Sequence, residues 1–366
     1  MVGACGLKFL LRWLVTVKRL VEHDQVPLRI GEGVLVLFGV SLPTGREGLM
    51  VPAGFASRET IVEAAVKAEE LGFDSVWGND HMTVQDYVSH VRPKPAFFEP
   101  IVAMAAVSSA TRRVKLATGI FVLPWRTPSL VVCAKQLATL DALSGGRVLL
   151  GVGTGAYTEE SSALGVGHRL GRMIEGVEAM RVLFNEDPAT YKGKYVEFEG
   201  VQFYPRPVQK PFPVYLGRHL TTDRVLRYLA ENCQGWIPGL YPDQFREALP
   251  RLEGFLKEQG RSLSDIDVVK EITVCQGATR EEALGRYFDS PAEAHMRSLS
   301  EGKKLVEFGE ESRWSLIGAP GDIIKGVESY LDAGVNHFMF NFVVKKRGDL
   351  VSGMEAFAEE VMPSFR

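Results

Sequence analysis

The sequence has few cysteines, and none of them forms a recognisable pair. The four cysteines lie far apart and include no CxxC motif: Cys5, Cys133, Cys233 and Cys275. This spacing argues against a zinc ribbon, a redox dithiol and a disulfide framework, and it fits a reducing cytoplasm. The chain also lacks any run of about eighteen apolar residues, so no membrane-spanning helix is predicted.

Several catalytic motifs are absent as well. There is no HxH pair after the first predicted strand, no HExxH, no GxSxG and no Walker loop, which leaves metal-dependent hydrolysis as a minor alternative. The acidic residues Glu99, Glu159, Glu160 and Asp322 form no pair that would indicate glycosidase chemistry. With 42 basic and 45 acidic residues the charge is nearly balanced, so nucleic acid is not an expected partner.

The chain does contain a regular alternation of apolar runs and helical stretches. From Val34 onward, short β-branched runs alternate with longer segments of helical period, which is typical of βα units around a parallel sheet. Eight such units predict an α/β fold, a closed (β/α)8 TIM barrel, in one domain over 34–366. The predicted strands are 35–41, 74–78, 114–118, 147–151, 214–217, 234–237, 267–275 and 337–342.

The first predicted helix, 59–71, illustrates the pattern. Ile61, Ala64 and Ala68 recur at spacings of three and four residues and form an apolar face. Ser57 is expected to cap the start of this helix and Gly72 to end it.

Three segments fall outside the repeat. Residues 1–33 combine an apolar face with a basic stripe, which would suit an interfacial helix or a short signal peptide, but we expect a non-essential extension. Residues 191–213 predict a hairpin-like excursion before strand five. Residues 279–315 predict a helical insertion after strand seven, either a lid facing the substrate or a pair of surface helices.

In a TIM barrel the active site lies at the carboxyl ends of the strands, and strand two ends in Asp80-His81. Histidine titrates near neutral pH, so His81 is a candidate to deliver or accept a proton, while Asp80 could accept hydrogen bonds from a bound ring. The alternative is that Asp80 caps the next segment and that His81 is a satisfied polar residue.

Glycines mark the ends of strands three and four. Gly119 interrupts a buried strand, where it permits either a bulge against a flat ligand or a simple turn. The string Gly153-Thr154-Gly155 offers unhindered backbone amides that suit an anion, although its GxGxG spacing is not a dinucleotide fingerprint.

Basic residues follow in two groups. His168, Arg169 and Arg172 form the first, and Arg218 and His219 come directly after strand five. Either group could bind a phosphate or an acidic tail. A solvated helix start is the alternative for the first group.

Taken together, three strings resemble the bacterial luciferase-like superfamily: 71–77 followed by Asp80-His81, 136–147 ending in SGGR, and 151–155, GVGTG. The resemblance continues through the tracts at 163–178, 191–198, 205–209 and 213–217, in matching order. It covers the chain from about Val34 to the carboxyl end.

This resemblance implies a TIM barrel with an insertion after strand seven and a flavin cofactor. Members use either coenzyme F420, a deazaflavin, for hydride transfer or reduced FMN with oxygen. By position, Asp80 resembles the ring contact of the family, His81 the proton donor or acceptor of some F420 members, and Gly119-Ile120 the site of a non-prolyl cis peptide. The implied cofactor contacts are Asp80, Thr118, Gly119, Ile120, Gly153, Thr154, Gly155, Tyr157, Arg172, Gly217 and Arg218.

The chain also departs from the family pattern. Sugar-phosphate dehydrogenases of the family place a tryptophan shortly after the histidine, whereas here His81 is followed by Met82-Thr83-Val84-Gln85. After GVGTG many members have Trp-Asn or an acidic residue, and this chain has Ala156-Tyr157.

The extra cations after strand five favour F420, so the leading hypothesis is an F420-dependent oxidoreductase acting on a small organic substrate. The alternatives are an FMN-dependent monooxygenase supplied by a flavin reductase and a non-catalytic flavin-binding barrel. Relatives are often homodimers, so a dimer is a further expectation.

Overall fold

A parallel strand forms at each of the eight predicted apolar runs, with bounds that agree to within two residues. The barrel strands are β1 Leu37–Ser41, β2 Ser75–Gly78, β3 Lys115–Thr118 continued by β4 Phe121–Val122, β5 Val148–Gly153, β8 Val214–Leu216, β9 Gly235–Trp236, β10 Asp267–Gln276 and β12 His337–Phe342. The intervening β6 Ala189–Lys192 and β7 Glu197–Val201 pair antiparallel and form the predicted hairpin.

The strands close into a ring through parallel pairing. β1 pairs with β12 and β2, and β10 pairs with both β12 and β9, so every strand of the barrel has a neighbour on each side. The predicted (β/α)8 TIM barrel is therefore confirmed. An additional parallel strand, β11 Ser315–Gly318, pairs with the carboxyl-terminal part of β10, residues 273–276. This strand was not predicted from the sequence.

The computed structural model describes residues 35–217, 221–300 and 315–366. From Val36 onward these residues belong to one compact unit. The predicted extension 1–33, the residues Arg218 and His219, and the later part of the insertion lie outside the described residues, so the predictions for them stay predictions. No helix in the described part of the chain is both long enough and apolar enough to cross a membrane.

Helices alternate with the strands and pack around the barrel. Their bounds are α1 Arg58–Glu70, α2 Pro100–Ala110, α3 Leu130–Ser144, α4 Thr158–Ala163, α5 Arg169–Asn185, α6 Asp223–Asn232, α7 Pro242–Glu258, α8 Arg280–Phe288, α9 Pro291–Ser300, α10 Pro320–Leu331 and α11 Asp349–Glu360. In α1, Ile61, Ala64 and Ala68 are buried as predicted. Ser57 Oγ accepts the Thr60 N–H at 3.2 Å, which confirms the predicted cap.

The barrel interior is a packed apolar layer that supports the site above it. It is formed by Trp77, Ala117, Leu149, Tyr215, Ile237, Val269 and Met339, with Ile120 partly buried on top of them. Because side chains alternate along a strand, the same strands send their other residues outward to the helices.

The insertion after strand seven packs against loops at the mouth of the barrel. Ala283 and Tyr287 on α8 and Ala292 on α9 share an apolar cluster with Leu49 and Val88, which follow β1 and β2. The described part of the predicted insertion is therefore helical and lies over one side of the mouth.

Candidate active site

His81 leaves β2 with its imidazole held by a buried carboxylate. His81 Nδ1 lies 2.9 Å from Glu160 Oε2, and Glu160 Oε1 accepts the Met82 N–H at 3.1 Å. The Glu160 side chain is 1% exposed and that of His81 is 12% exposed. Since a carboxylate can only accept, Nδ1 carries the proton, and Nε2 is the nitrogen left to exchange a proton with a ligand.

Gln85 fixes the same nitrogen from a second direction. Its amide nitrogen lies 2.8 Å from His81 Nδ1, while its Oε1 is buried without a partner in the described part of the chain. The two amide atoms are interchangeable by a flip, and the flipped amide would let Oε1 accept from the protonated Nδ1. Because Nδ1 carries a proton, only the flipped amide can hydrogen-bond to His81, and this bond helps to hold the imidazole in one position.

The electrostatic state of Glu160 suits this role. Burial of the Glu160 carboxyl acts to raise its pKa, but the hydrogen bond and charge of His81, with the N–H of Thr83, outweigh burial and lower the pKa. Glu160 therefore stays a carboxylate at neutral pH. Its contribution to stability is present above the pKa of a free glutamic acid and is lost as the pH falls through the lowered value.

The insertion contributes a second histidine next to His81. The Tyr157 hydroxyl lies 3.4 Å from Nδ1 of His295 on α9, and the Tyr157 and His81 ring centroids are 5.9 Å apart. Burial, together with the charges of Arg46 and His81, lowers the pKa of His295 to about 3. His295 is therefore neutral at physiological pH, and the insertion is part of the site.

A carboxylate opens into the barrel mouth on the side of β10. The Glu271 side chain is 42% exposed, and its Oε1 accepts from Arg46 Nη2 at 3.2 Å and from Asn341 Nδ2 at 3.0 Å. Arg46 follows Gly45, and a Cβ added to Gly45 would lie 3.3 Å from His81 Cδ2. The Arg46–Glu271 ion pair therefore borders the part of the barrel mouth that contains His81. A fixed carboxylate here can accept a hydrogen bond from a substrate hydroxyl.

Asp80 lies inside the protein rather than at an open surface. Its side chain is fully buried, Oδ2 accepts the Val122 N–H at 2.8 Å, and Arg126 binds both carboxylate oxygens. Arg126 also contacts Glu99 Oε1 at 3.3 Å and lies 4.0 Å over the Phe121 ring. In this arrangement Asp80 holds β4 to β2, and the cofactor contact implied by the resemblance stays a prediction.

The break between β3 and β4 leaves the apolar side chain of Ile120 partly exposed, and this side chain is the apolar surface of the site. The Gly119-Ile120 peptide is cis, which confirms the prediction at this position. The Ile120 side chain fits against Gly153 and Gly217, where an added Cβ would overlap Ile120 Cδ1 and Cγ2, respectively. Thr118 Oγ1 donates to Gly151 O at 3.0 Å, so its hydroxyl is engaged within the barrel.

We expect Gly153→Ala to disturb this surface. The new methyl group would push Ile120 out of place, so coenzyme affinity should fall and the free energy of unfolding should drop by about 1–3 kcal/mol. Coenzyme titration and chemical denaturation measure the two effects. Gly254→Ala on α7 is the matched control, since no atom of the residues that the structure describes lies within 4 Å of a Cβ added there, and stability should rise slightly. Wild-type affinity in Gly153→Ala would show that this contact does not shape the site.

A basic cavity adjoins the end of β5. It has a volume of about 420 Å³ and is lined by Thr154, His168, Arg169, Leu170, Gly171 and Tyr195. Arg169 Nη1 donates to Thr154 O at 3.2 Å and to Gly155 O at 3.0 Å. The structure therefore brings Thr154 and Gly155 to Arg169. Arg172 instead reaches Thr127 Oγ1 at 3.0 Å and lies against Tyr195.

Sequence reasoning missed Arg46, Glu271, Arg126 and His295, and it dismissed Glu160. Only the alternation of side chains along β10 could have indicated Glu271. Val269 faces the barrel interior, and Glu271, two residues further along the strand, faces the same way. The partners of His81 and Asp80 lie 79 and 46 positions away, and nothing local in the sequence marks them.

Known proteins resemble this chain over almost all of the barrel. F420-dependent glucose-6-phosphate dehydrogenase of Amycolatopsis mediterranei is 29% identical, covering 84% of this chain and 94% of the relative. The protein of that name from Intrasporangium calvum is 30% identical, covering 85% and 96%.

Solved structures share the fold. The monooxygenase RslO1 from Streptomyces bottropensis has a TM-score of 0.74 at 21% identity, covering 90% of this chain and 100% of that one. An F420-dependent secondary alcohol dehydrogenase, solved with an F420-acetone adduct, has a TM-score of 0.72 at 21% identity, covering 91% and 99%. Residues 36–337 match the family described as luciferase-like monooxygenase. The chain therefore belongs to the luciferase-like monooxygenase family.

Proposed function

We propose that this chain is an F420-dependent oxidoreductase that transfers a hydride between the coenzyme and a small organic substrate. The observation that carries the proposal is the His81–Glu160 pair at the mouth of the barrel, next to the strand break at Gly119-Ile120. Relatives of 29–30% identity over nearly their full length are named F420-dependent, which supports the choice of coenzyme.

The residues at the strand ends fit a flat ring with an anionic extension. Ile120 presents a partly exposed apolar side chain that packs on glycines, and Arg169 donates to the carbonyl oxygens of Thr154 and Gly155, which places a cation beside the 153–155 segment. In this proposal Ile120 and its neighbours would hold the ring and the 153–155 segment would hold the phosphate. When bound, coenzyme F420 supplies the hydride chemistry that amino-acid side chains lack.

The protein residues would manage the substrate proton. His81 Nε2 would accept the proton of a substrate hydroxyl during oxidation, and Glu160 would stabilise the imidazolium that results. In the reverse direction the same nitrogen would return the proton. Phe97 and Tyr157 pack around the imidazole at ring-centroid distances of 5.3 and 5.9 Å and limit the access of water.

The substrate class follows from the groups that face the mouth. The half-exposed Glu271 carboxylate would accept a hydrogen bond from a second hydroxyl, so we propose a hydroxylated substrate. Glucose 6-phosphate is the first compound to test because the relatives are named for it. The segment 82–85 lacks the tryptophan that sugar-phosphate dehydrogenases of the family have shortly after the histidine, and Gln85 of this segment is buried against His81.

Coenzyme titration tests the proposal directly. F420 should bind and change its fluorescence, whereas FMN should bind more weakly. The bound coenzyme should then be reduced when glucose 6-phosphate or a simple secondary alcohol is added, followed by absorbance. Binding of FMN alone would overturn the proposal in favour of a monooxygenase that needs a flavin reductase. Binding of F420 without turnover of any hydroxylated compound would indicate a non-catalytic barrel.

A further inference from the structure

The inner face of the barrel ends in polar side chains at the mouth. Ser41 on β1 and Asn341 on β12 directly follow Val40 and Phe340, which are paired in the sheet. Because Val40 and Phe340 belong to the core outside the barrel, their successors point into the barrel. Glu271 of β10 faces the same way and accepts the Asn341 Nδ2–H at 3.0 Å. The ends of three strands therefore place these side chains together.

Arg46 joins this set from the loop after β1. Its Nη2 donates to Glu271 Oε1 at 3.2 Å, and a Cβ added to the preceding Gly45 would lie 3.3 Å from His81 Cδ2. The set is therefore next to the imidazole that would exchange the substrate proton. We call it the mouth group, and it consists of Ser41, Arg46, Glu271 and Asn341.

Three atoms of the mouth group are buried polar atoms without a hydrogen-bond partner among the residues that the structure describes. They are Ser41 Oγ, Arg46 Nε and Asn341 Oδ1, and their residues are 5%, 5% and 7% exposed. An unpaired polar atom in a protein interior costs free energy, so folded proteins keep few of them. Three such atoms beside the half-exposed carboxylate of Glu271 indicate a site for a polar ligand.

The hydrogen-bonding capacity of these atoms defines the ligand. Asn341 Nδ2 must donate to the Glu271 carboxylate, which can only accept, so the amide orientation is fixed and Oδ1 is left as an acceptor. Arg46 Nε can only donate, whereas the Ser41 hydroxyl can donate and accept. A ligand hydroxyl also does both, so one hydroxyl fits between Arg46 Nε and Glu271. A second hydroxyl fits between Ser41 Oγ and Asn341 Oδ1.

We propose that the mouth group binds two hydroxyls on neighbouring carbons of the substrate while a further hydroxyl reacts at His81. The two hydroxyl positions are adjacent because Asn341 is bonded directly to Glu271. The substrates that this site favours are therefore polyols and sugars rather than simple alcohols. The inference rests on the proposed function, because it assumes that a hydroxyl-bearing carbon of the substrate reacts beside His81.

The experiment compares two compounds with the same six-membered ring. myo-Inositol carries a hydroxyl on every carbon and cyclohexanol carries one, so only myo-inositol can pair with the whole mouth group. Ligand-observed NMR measures both dissociation constants without requiring turnover, on the intact protein with F420 and again without it. We expect myo-inositol to bind about tenfold more tightly, because cyclohexanol would leave buried polar atoms unpaired.

Ser41→Ala and Asn341→Ala test the residues. Each should weaken the binding of myo-inositol by about two- to tenfold, the range for a neutral hydrogen bond, and should weaken that of cyclohexanol less. The ratio of the two affinities is therefore the measured quantity. Ser41→Ala should melt at or above the wild-type temperature, because the hydroxyl that it removes has no partner in the described part of the chain.

Tyr228→Phe is the matched control. It also removes a buried hydroxyl for which the described residues offer no partner, but Tyr228 lies on α6 and packs against the core outside the barrel. The ratio of the two affinities should equal that of the wild type. Thermal melting of each variant verifies that the fold is kept.

Three results would overturn the role of the mouth group alone: no binding of myo-inositol, an affinity for it no higher than for cyclohexanol, or the same loss for both compounds in Ser41→Ala and Asn341→Ala. The proposed function fails separately, if F420 does not bind while FMN does. A preference for myo-inositol that Ser41→Ala and Asn341→Ala reduce and Tyr228→Phe does not would establish the site.

Discussion

Replacing His81 by Ala is expected to lower the turnover number by about a thousandfold, within the range usual for loss of a general acid or base. The affinity for F420 should stay close to that of the wild type, because the Ile120 surface and the 153–155 segment do not depend on the imidazole. Steady-state reduction of F420 with a hydroxylated substrate measures the first quantity, and fluorescence titration measures the second.

Two variants define what this result would mean. His90→Ala is the control, because His90 is an exposed histidine of the same connecting segment. Glu160→Gln should lower turnover by roughly ten- to a hundredfold, as the loss of an orienting partner does, and should shift the pH profile. Unchanged turnover in His81→Ala would exclude the proton-transfer role, and an equal loss of F420 affinity would make His81 a coenzyme contact instead.

Asp80→Ala should have the largest effect on stability. The substitution leaves the guanidinium of Arg126, which is 12% exposed, without its bidentate carboxylate partner. Breaking a buried ion pair on one side costs about 3–5 kcal/mol, so the free energy of unfolding should fall by that amount. Denaturation by urea, followed by circular dichroism, measures the change.

The double variant Asp80→Ala/Arg126→Met separates a structural role from a ligand contact. Removing both charges should restore much of the stability, because the Arg126 guanidinium is no longer left with Glu99, at 3.3 Å, as its remaining carboxylate partner. Asp86→Ala, at an exposed aspartate in the same segment, should leave stability unchanged within about 0.5 kcal/mol. A stable Asp80→Ala protein that no longer binds F420 would show that Asp80 contacts the coenzyme, as the resemblance implies.

The barrel was predictable because the sequence pattern of each strand and helix is local and because that pattern is repeated eight times. The predicted strand at 337–342 has the same bounds as β12, and the other predicted strands differ from the observed ones by at most two residues at either end. The periodicity of the apolar residues indicates which face of each strand or helix is buried. Few folds other than a TIM barrel are compatible with eight repeats of a strand followed by a helix. The strand β11 escaped prediction because it is a short addition to an already complete ring.

The site was predictable only in part. His81, Gly119 and Gly153 were predicted as site residues because barrel chemistry lies at strand ends and because glycine leaves the backbone accessible to a ligand, whereas Gly217 was implied only by the family resemblance. The partners that define their roles could not be found in this way. Glu160 is 79 positions from His81, Glu271 is 225 positions from Arg46, and His295 is 138 positions from Tyr157.

The sequence by itself therefore determined the fold class and indicated the strand ends as the candidate site, and its family resemblance implied the cis peptide at Gly119-Ile120. The tertiary structure alone decided that Asp80 forms a buried ion pair with Arg126, that Glu160 orients His81 and that the insertion places His295 beside Tyr157. The physical reason is that periodicity records which face of an element is buried. The choice of partner depends instead on strand register and loop paths, which bring distant residues within hydrogen-bonding distance.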